Sequence, residues 1–97
     1  MSTKVVNVKK EPCDVYIGRG SRWGNPFRMR KEEDRDLVVS QYRVYLFEQL
    51  QSGEVTPEDL LALDGKRLGC YCAPRACHGD VIVNAIEYYK KSQKITQ

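Results

Sequence analysis

The chain reads as an α/β protein, a small single-domain Rossmann-like sandwich with a short, mainly parallel sheet and about three helices. Three observations predict this. Short apolar runs of strand character occur near 5–8, 14–17 and 66–72, and apolar residues recur at helical spacing in two longer segments. The order strand, strand, loop, helix, short helix, strand, loop, helix also sends the chain through a helical crossover before its last strand, and a strand reached that way pairs in parallel. At 97 residues there is room for one core and little room for a second domain. The domain is expected over 1–91, with a frayed tail over 92–97, and no internal repeat or low-complexity segment interrupts it.

Taken in order, Val5-Val6-Asn7-Val8 is a short strand, and Asp14-Val15-Tyr16-Ile17 is a second after the turn signal at Glu11-Pro12. Residues 18–26 hold three glycines and a proline and read as a long loop. From about Glu32, the spacing of Val38, Tyr42, Tyr45, Leu46 and Leu50 predicts an amphipathic helix that Gly53 ends. Thr56-Pro57-Glu58-Asp59 is a helix start, with threonine as N-cap, proline in the first turn and acids at the positive end of the dipole. Leu60, Leu61 and Leu63 supply its buried side before Gly65. Residues 66–72 read as a strand, and Val81, Ile82, Ala85, Ile86 and Tyr89 predict a final helix.

Hydrophobic residues make up 41% and charged residues 30%, ordinary values for a globular domain, and no apolar run approaches the roughly 20 residues of a membrane span. The amino terminus lacks the apolar core of a signal peptide, so a cytoplasmic location is expected. In that reducing compartment clustered cysteines are expected as thiols, not disulfides. The net charge of +3 does not demand a nucleic-acid partner, yet Arg19, Arg22, Arg28 and Arg30 occur with no acid from 18 through 31. A local anion site fits that pattern better than a general polycation.

The stretch 68–80, L-G-C-Y-C-A-P-R-A-C-H-G-D, holds Cys70, Cys72, Cys77, His78 and Asp80 in a predicted strand-loop-helix turn. Three readings are open. Cys70 and Cys72 share one strand face and are accounted for as small core residues. A zinc site would use Cys70, Cys72, Cys77 and His78, with Cys13 able to replace one ligand. Against it, residues two apart on a strand are roughly 6.5 to 7 Å apart, and adjacent helical residues diverge by about 100°. The third reading is a catalytic or ligand-binding turn at the carboxyl end of a strand. Cys77 would be the nucleophile near a helix start, His78 a base, acid or donor, and Asp80 its orienting group or a simple cap. A cysteine-phosphatase loop does not match, because Arg75 follows Cys70 after four residues instead of five. Arg75 could still assist phosphate binding by backbone N–H groups.

The tryptophan lies in Trp23-Gly24-Asn25-Pro26-Phe27 among the arginines. Trp23 could stack on a base, Asn25 read a ring edge, and Arg19 or Arg28 hold phosphate. Trp23 and Phe27 could equally be the hydrophobic plug of a small core, and Asn25 before Pro26 only a turn.

Together these segments resemble the domain of unknown function numbered 4326, a family of bacteria, archaea and phages. The likeness rests on Tyr16-Ile17-Gly18-Arg19, on Trp23 to Phe27, and on the helix carrying Tyr42 and Leu46. It continues through Gly65-Lys66 into Leu68-Gly69-Cys70-Tyr71-Cys72-Ala73-Pro74 and Cys77-His78-Gly79-Asp80, covering about residues 5–90. Tyr71 stands where family members often carry tryptophan. The family name implies no activity, while its occurrence in phages implies action on host or phage nucleotides or nucleotide-derived defence signals.

The function expected is a pocket for a nucleotide-like, phosphate-bearing small molecule between the Trp23 loop and the Cys77-His78 helix start. If chemistry follows, it is thiol- or histidine-assisted transfer or hydrolysis of a nucleotide-derived substrate. The alternatives are a zinc-stapled or purely structural module that binds protein or nucleic acid, and a sequestering protein that captures a signalling nucleotide without turnover. No cofactor beyond zinc is implied and no membrane partner is expected; a homo-oligomer is left open.

Overall fold

The computed structural model describes residues 3–27, 30–71 and 77–95. Along the chain come β1 (Lys4–Asn7), β2 (Val15–Tyr16), a 3₁₀ turn (Glu32–Asp34), α1 (Arg35–Ser52), α2 (Pro57–Leu61), β3 (Arg67–Cys70) and α3 (His78–Ile95). The strands form a parallel sheet in the order β1-β3-β2. The last strand to be made is therefore the central one. Its register runs from Lys4 opposite Arg67 to Asn7 opposite Cys70 on one side, and pairs Val15 with Leu68 and Tyr16 with Gly69 on the other. This is the α/β architecture with a short parallel sheet and three helices that the crossover predicts.

A central strand must be buried on both faces, and Leu68, Gly69 and Cys70 are. Leu68 and Cys70 point into the core shared with the helices, alongside Ile17, Tyr42, Leu46, Leu60, Ile82 and Ile86. On the opposite face Cys13 and Val8 lie so close to Gly69 that an added Cβ would sit 2.5 Å from the Cys13 sulfur. The β2 edge is fastened by Asp14, whose carboxylate accepts hydrogen bonds from the Arg67 backbone N–H at 2.8 Å and from its guanidinium at 3.2 Å.

α1 buries Val38, Tyr42 and Leu46, a strict four-residue repeat, and ends at Gly53 with φ 87°, a left-handed conformation that favours glycine. α2 is closed by a reciprocal box. The Asp59 N–H donates to the Thr56 hydroxyl at 3.2 Å, and the Thr56 N–H donates to the Asp59 carboxylate at 2.9 Å. The Arg22 guanidinium donates to that same carboxylate and to the Glu54 carbonyl, both at 2.9 Å, tying the loop after β2 to this corner.

α3 starts directly on the sheet. A Cβ at Gly79 would fall 2.8 Å from a Val5 methyl and 2.9 Å from the Ile17 methyl, so only a residue without one permits this approach. The helix runs to Ile95. Lys90, Lys91, Gln93 and Lys94 are helix formers, and no glycine or proline interrupts that stretch. β3 stops at Cys70, short of the expected end at Cys72, which lies outside the described residues. Among the described residues, no helix is long and apolar enough to cross a membrane.

Candidate functional site

Parallel pairing brings the carboxyl ends of β2 and β3 to one edge of the sheet, the usual place for a site in open α/β folds. From that edge the chain enters the 18–27 loop after β2, and the start of α3 returns to it. Between them is a cavity of about 370 Å³. Arg19, Asn25 and Phe27 line it from the loop, Cys70 and Tyr71 from the end of β3, and Cys77 and His78 from the start of α3. Tyr16, Gly18 and, from α1, Arg35, Val38 and Val39 complete the wall.

Cys77 is the N-cap of α3. Its sulfur accepts the Gly79 N–H at 3.3 Å, while its own N–H donates to the Asp80 carboxylate at 3.2 Å. The Asp80 carboxylate on the Cys77 N–H repeats one half of the box at Thr56, while the Asp80 N–H donates to the Cys77 carbonyl at 3.0 Å and the sulfur takes the Gly79 N–H instead. Asp80 is exposed and is placed as a cap on the backbone. The Cys77 and Cys70 sulfurs are 3.5 Å apart and both residues are buried. Two thiols thus sit together on one wall of the cavity.

His78 ties the helix start to the loop. Its Nε2 lies 2.6 Å from the Ile17 carbonyl oxygen. A carbonyl only accepts, so Nε2 carries a proton and donates it. The ring also meets Tyr42 edge-on, with centroids 5.0 Å apart. Tyr42 in turn donates its hydroxyl hydrogen to the Trp23 carbonyl at 2.8 Å. Burial, and secondarily Tyr45, pushes the Tyr42 phenol well above its ordinary value, which keeps it a donor.

Trp23 itself is not brought to the cavity. It is 7% exposed and belongs to the core, with the Arg22 guanidinium 5.3 Å from its ring. The plug role weighed for the indole is the one its burial matches, and its backbone carries the loop that presents Arg19 and Phe27. Asn25 is similarly structural: its amide donates to the Val38 carbonyl at 3.1 Å and its oxygen accepts the Phe27 N–H at 2.9 Å. Arg19 is exposed and makes no ion pair among the described residues. Arg28, Arg75 and Cys72 lie outside the described residues.

Residues that sequence reasoning did not place here are Arg35, Tyr16 and Tyr71. Arg35 hides in an acidic run and is ion-paired with Glu32 at the start of α1. The tyrosines carry a readable signal, since aromatic residues at the carboxyl ends of adjacent parallel strands face the same edge. Among the described residues no group of three or more histidine, cysteine, aspartate or glutamate side chains gathers as a metal-binding set.

Comparison with known proteins places these residues within a family. The model of the domain of unknown function DUF4326 matches residues 2–88. An uncharacterized 12.4 kDa protein from the nrdA-td intergenic region of Enterobacteria phage T4 is 37% identical over 83 residues, covering 86% of this chain and 76% of that protein. An uncharacterized protein of Acanthamoeba polyphaga mimivirus is 30% identical over 100 residues, covering 84% of this chain and 71% of its own. No solved structure matches.

Proposed function

The chain belongs to the DUF4326 family, and we propose that it binds a nucleotide-like, phosphate-bearing small molecule in the cavity between the 18–27 loop and the start of α3. The observation that carries this reading is a cavity of about 370 Å³ whose walls combine Arg19, which has no ion pair among the described residues, with aromatic and aliphatic side chains. That volume sits at the lower end of the roughly 300–1,000 Å³ typical of small-molecule sites. A guanidinium with no carboxylate partner suits a phosphate, which it meets through paired hydrogen bonds. The relatives in phage T4 and mimivirus fit a viral setting in which the ligand is a host or viral nucleotide or a signal derived from one.

Native mass spectrometry of the purified protein with a panel of nucleoside monophosphates, nucleoside diphosphates and dinucleotides tests this. A one-to-one adduct that Arg19→Ala removes is expected; a protein that ignores the whole panel would refute the proposal. Cys77→Ser separates capture from turnover, because serine is itself a strong N-cap and preserves the start of α3. Capture alone predicts that Cys77→Ser keeps both binding and biological effect, whereas thiol chemistry predicts binding without effect.

One observation favours a second reading, a zinc staple. Two thiolates on a tetrahedral zinc with Zn–S of about 2.3 Å are about 3.8 Å apart, close to the 3.5 Å between Cys70 and Cys77. Stoichiometric zinc in the purified protein, with unfolding on chelation, would establish the staple; metal-free folded protein would exclude it.

A further inference from the structure

Tyr16 and Tyr71 meet edge-to-face beside the cavity. Their ring centroids are 6.3 Å apart with planes inclined by 76°, so the pair forms a corner with two nearly perpendicular aromatic walls. Both line the cavity, yet Tyr16 is 39% exposed and Tyr71 55% exposed. Among the described residues, the other large hydrophobic side chains this exposed, Leu37, Val44, Phe47 and Tyr88, lie away from that cavity. Exposed aromatic surface at a concave rim is costly in water and is the surface a flat apolar ring would cover.

Both tyrosines are held in place. Gly18 leaves room for the Tyr16 ring to fold back over the backbone, and an added Cβ there would lie 2.3 Å from the Tyr16 hydroxyl oxygen. Tyr71 follows the last residue of β3, and its carbonyl accepts a long hydrogen bond from the Asn7 amide at 3.5 Å. The Lys9 ammonium sits 5.8 Å from the Tyr71 ring centroid, adding a cation beside that wall. Arg19 lies three residues beyond Tyr16, on the loop that follows β2, and lines the same cavity.

We infer that the Tyr16–Tyr71 corner is the nucleobase subsite, with the base stacked on one tyrosine and edge-on to the other, and Arg19 holding the phosphate. This rests on the nucleotide-binding reading above and assigns the ring-stacking role to the tyrosine pair in place of the buried Trp23. Stacking is blind to base identity because every base presents a π face. The site therefore discriminates between a nucleotide and a bare sugar phosphate more than among bases.

Calorimetric titration with adenosine 5′-monophosphate and with ribose 5-phosphate tests the assignment. Tyr71→Ala and Tyr16→Ala are each expected to weaken the nucleotide by about 5- to 150-fold, the worth of one base–aromatic stack. Ribose 5-phosphate should bind each variant as it binds the wild type, and Tyr71→Phe should retain nucleotide affinity. Unchanged nucleotide affinity in both alanine variants overturns the inference and leaves the binding reading standing. Equal losses for both probes overturn it as well, since the tyrosines would then not be reading the base. If the wild type binds neither probe, the binding reading fails and this assignment falls with it.

Discussion

Tyr42→Phe removes one oxygen from the middle of the protein and should unfasten the loop that presents Arg19. Tyr42 is 1% exposed and donates to the Trp23 carbonyl at 2.8 Å. Phenylalanine keeps the ring contacts with His78 and Tyr45, so the change isolates the hydrogen bond. An unsatisfied buried acceptor costs about 1–3 kcal/mol. For a domain of this size each kcal/mol lowers Tm by about 4–8 °C, so a fall of at least about 4 °C is expected. The chain has one tryptophan, and its fluorescence during urea unfolding reports on this loop directly. Tyr88→Phe, at a side chain 64% exposed, is the control and should unfold with the wild type. A Tyr42→Phe protein with the wild-type midpoint would refute the view that this phenol holds the loop.

Other consequences follow from the same contacts. Gly79→Ala gains helix propensity worth about 1 kcal/mol but forces a methyl against Val5 and Ile17. The overpacking cost of about 1–3 kcal/mol should prevail, and thermal denaturation showing a stabilised variant would contradict the packing described. Arg19→Ala should leave Tm unchanged while weakening nucleotide binding about tenfold or more, the worth of a charge-assisted hydrogen bond; equal affinity by calorimetry would remove Arg19 from the site. Asp14, through the Arg67 side chain, and Asp59, through the Thr56 N–H and then Arg22, are held below the ordinary value of 3.8. A carboxyl lowered by folding contributes stability that is complete above its unfolded pKa and is lost as pH falls through the folded one. Urea midpoints should therefore hold from neutrality to about pH 5 and drop below about pH 4, less steeply in Asp59→Asn.

Local signals made the helices legible. Val38, Tyr42 and Leu46 recur every four residues, Thr56 and Asp59 form a box three residues apart, and Cys77 with Asp80 repeats that spacing. Each depends on neighbours along the chain, so the residue types alone carry it. Convergence of the Arg19 loop and the Cys77 turn was readable too, because both follow carboxyl ends of strands expected to be parallel. Long-range choices were not readable. Trp23 had the chemistry of a stacking platform and of a core plug, and it is buried in the core with Tyr42, nineteen residues away, whose approach no local pattern announces. Tyr16 and Tyr71 become a pair only once β2 and β3 lie side by side in register. Arg35 turns toward the cavity because of where α1 packs, which its acidic neighbours conceal.

The central claim is that a nucleotide occupies the cavity at the carboxyl edge of the sheet, and an amide-resolved NMR titration with adenosine 5′-monophosphate tests it most directly. The account predicts that the largest shifts fall on Gly18, Arg19, Phe27, Tyr71, Cys77 and His78. Shifts centred instead on Phe47, Asn84 and Tyr88, along the far groove between α1 and α3, or none at all at saturating nucleotide, would contradict it.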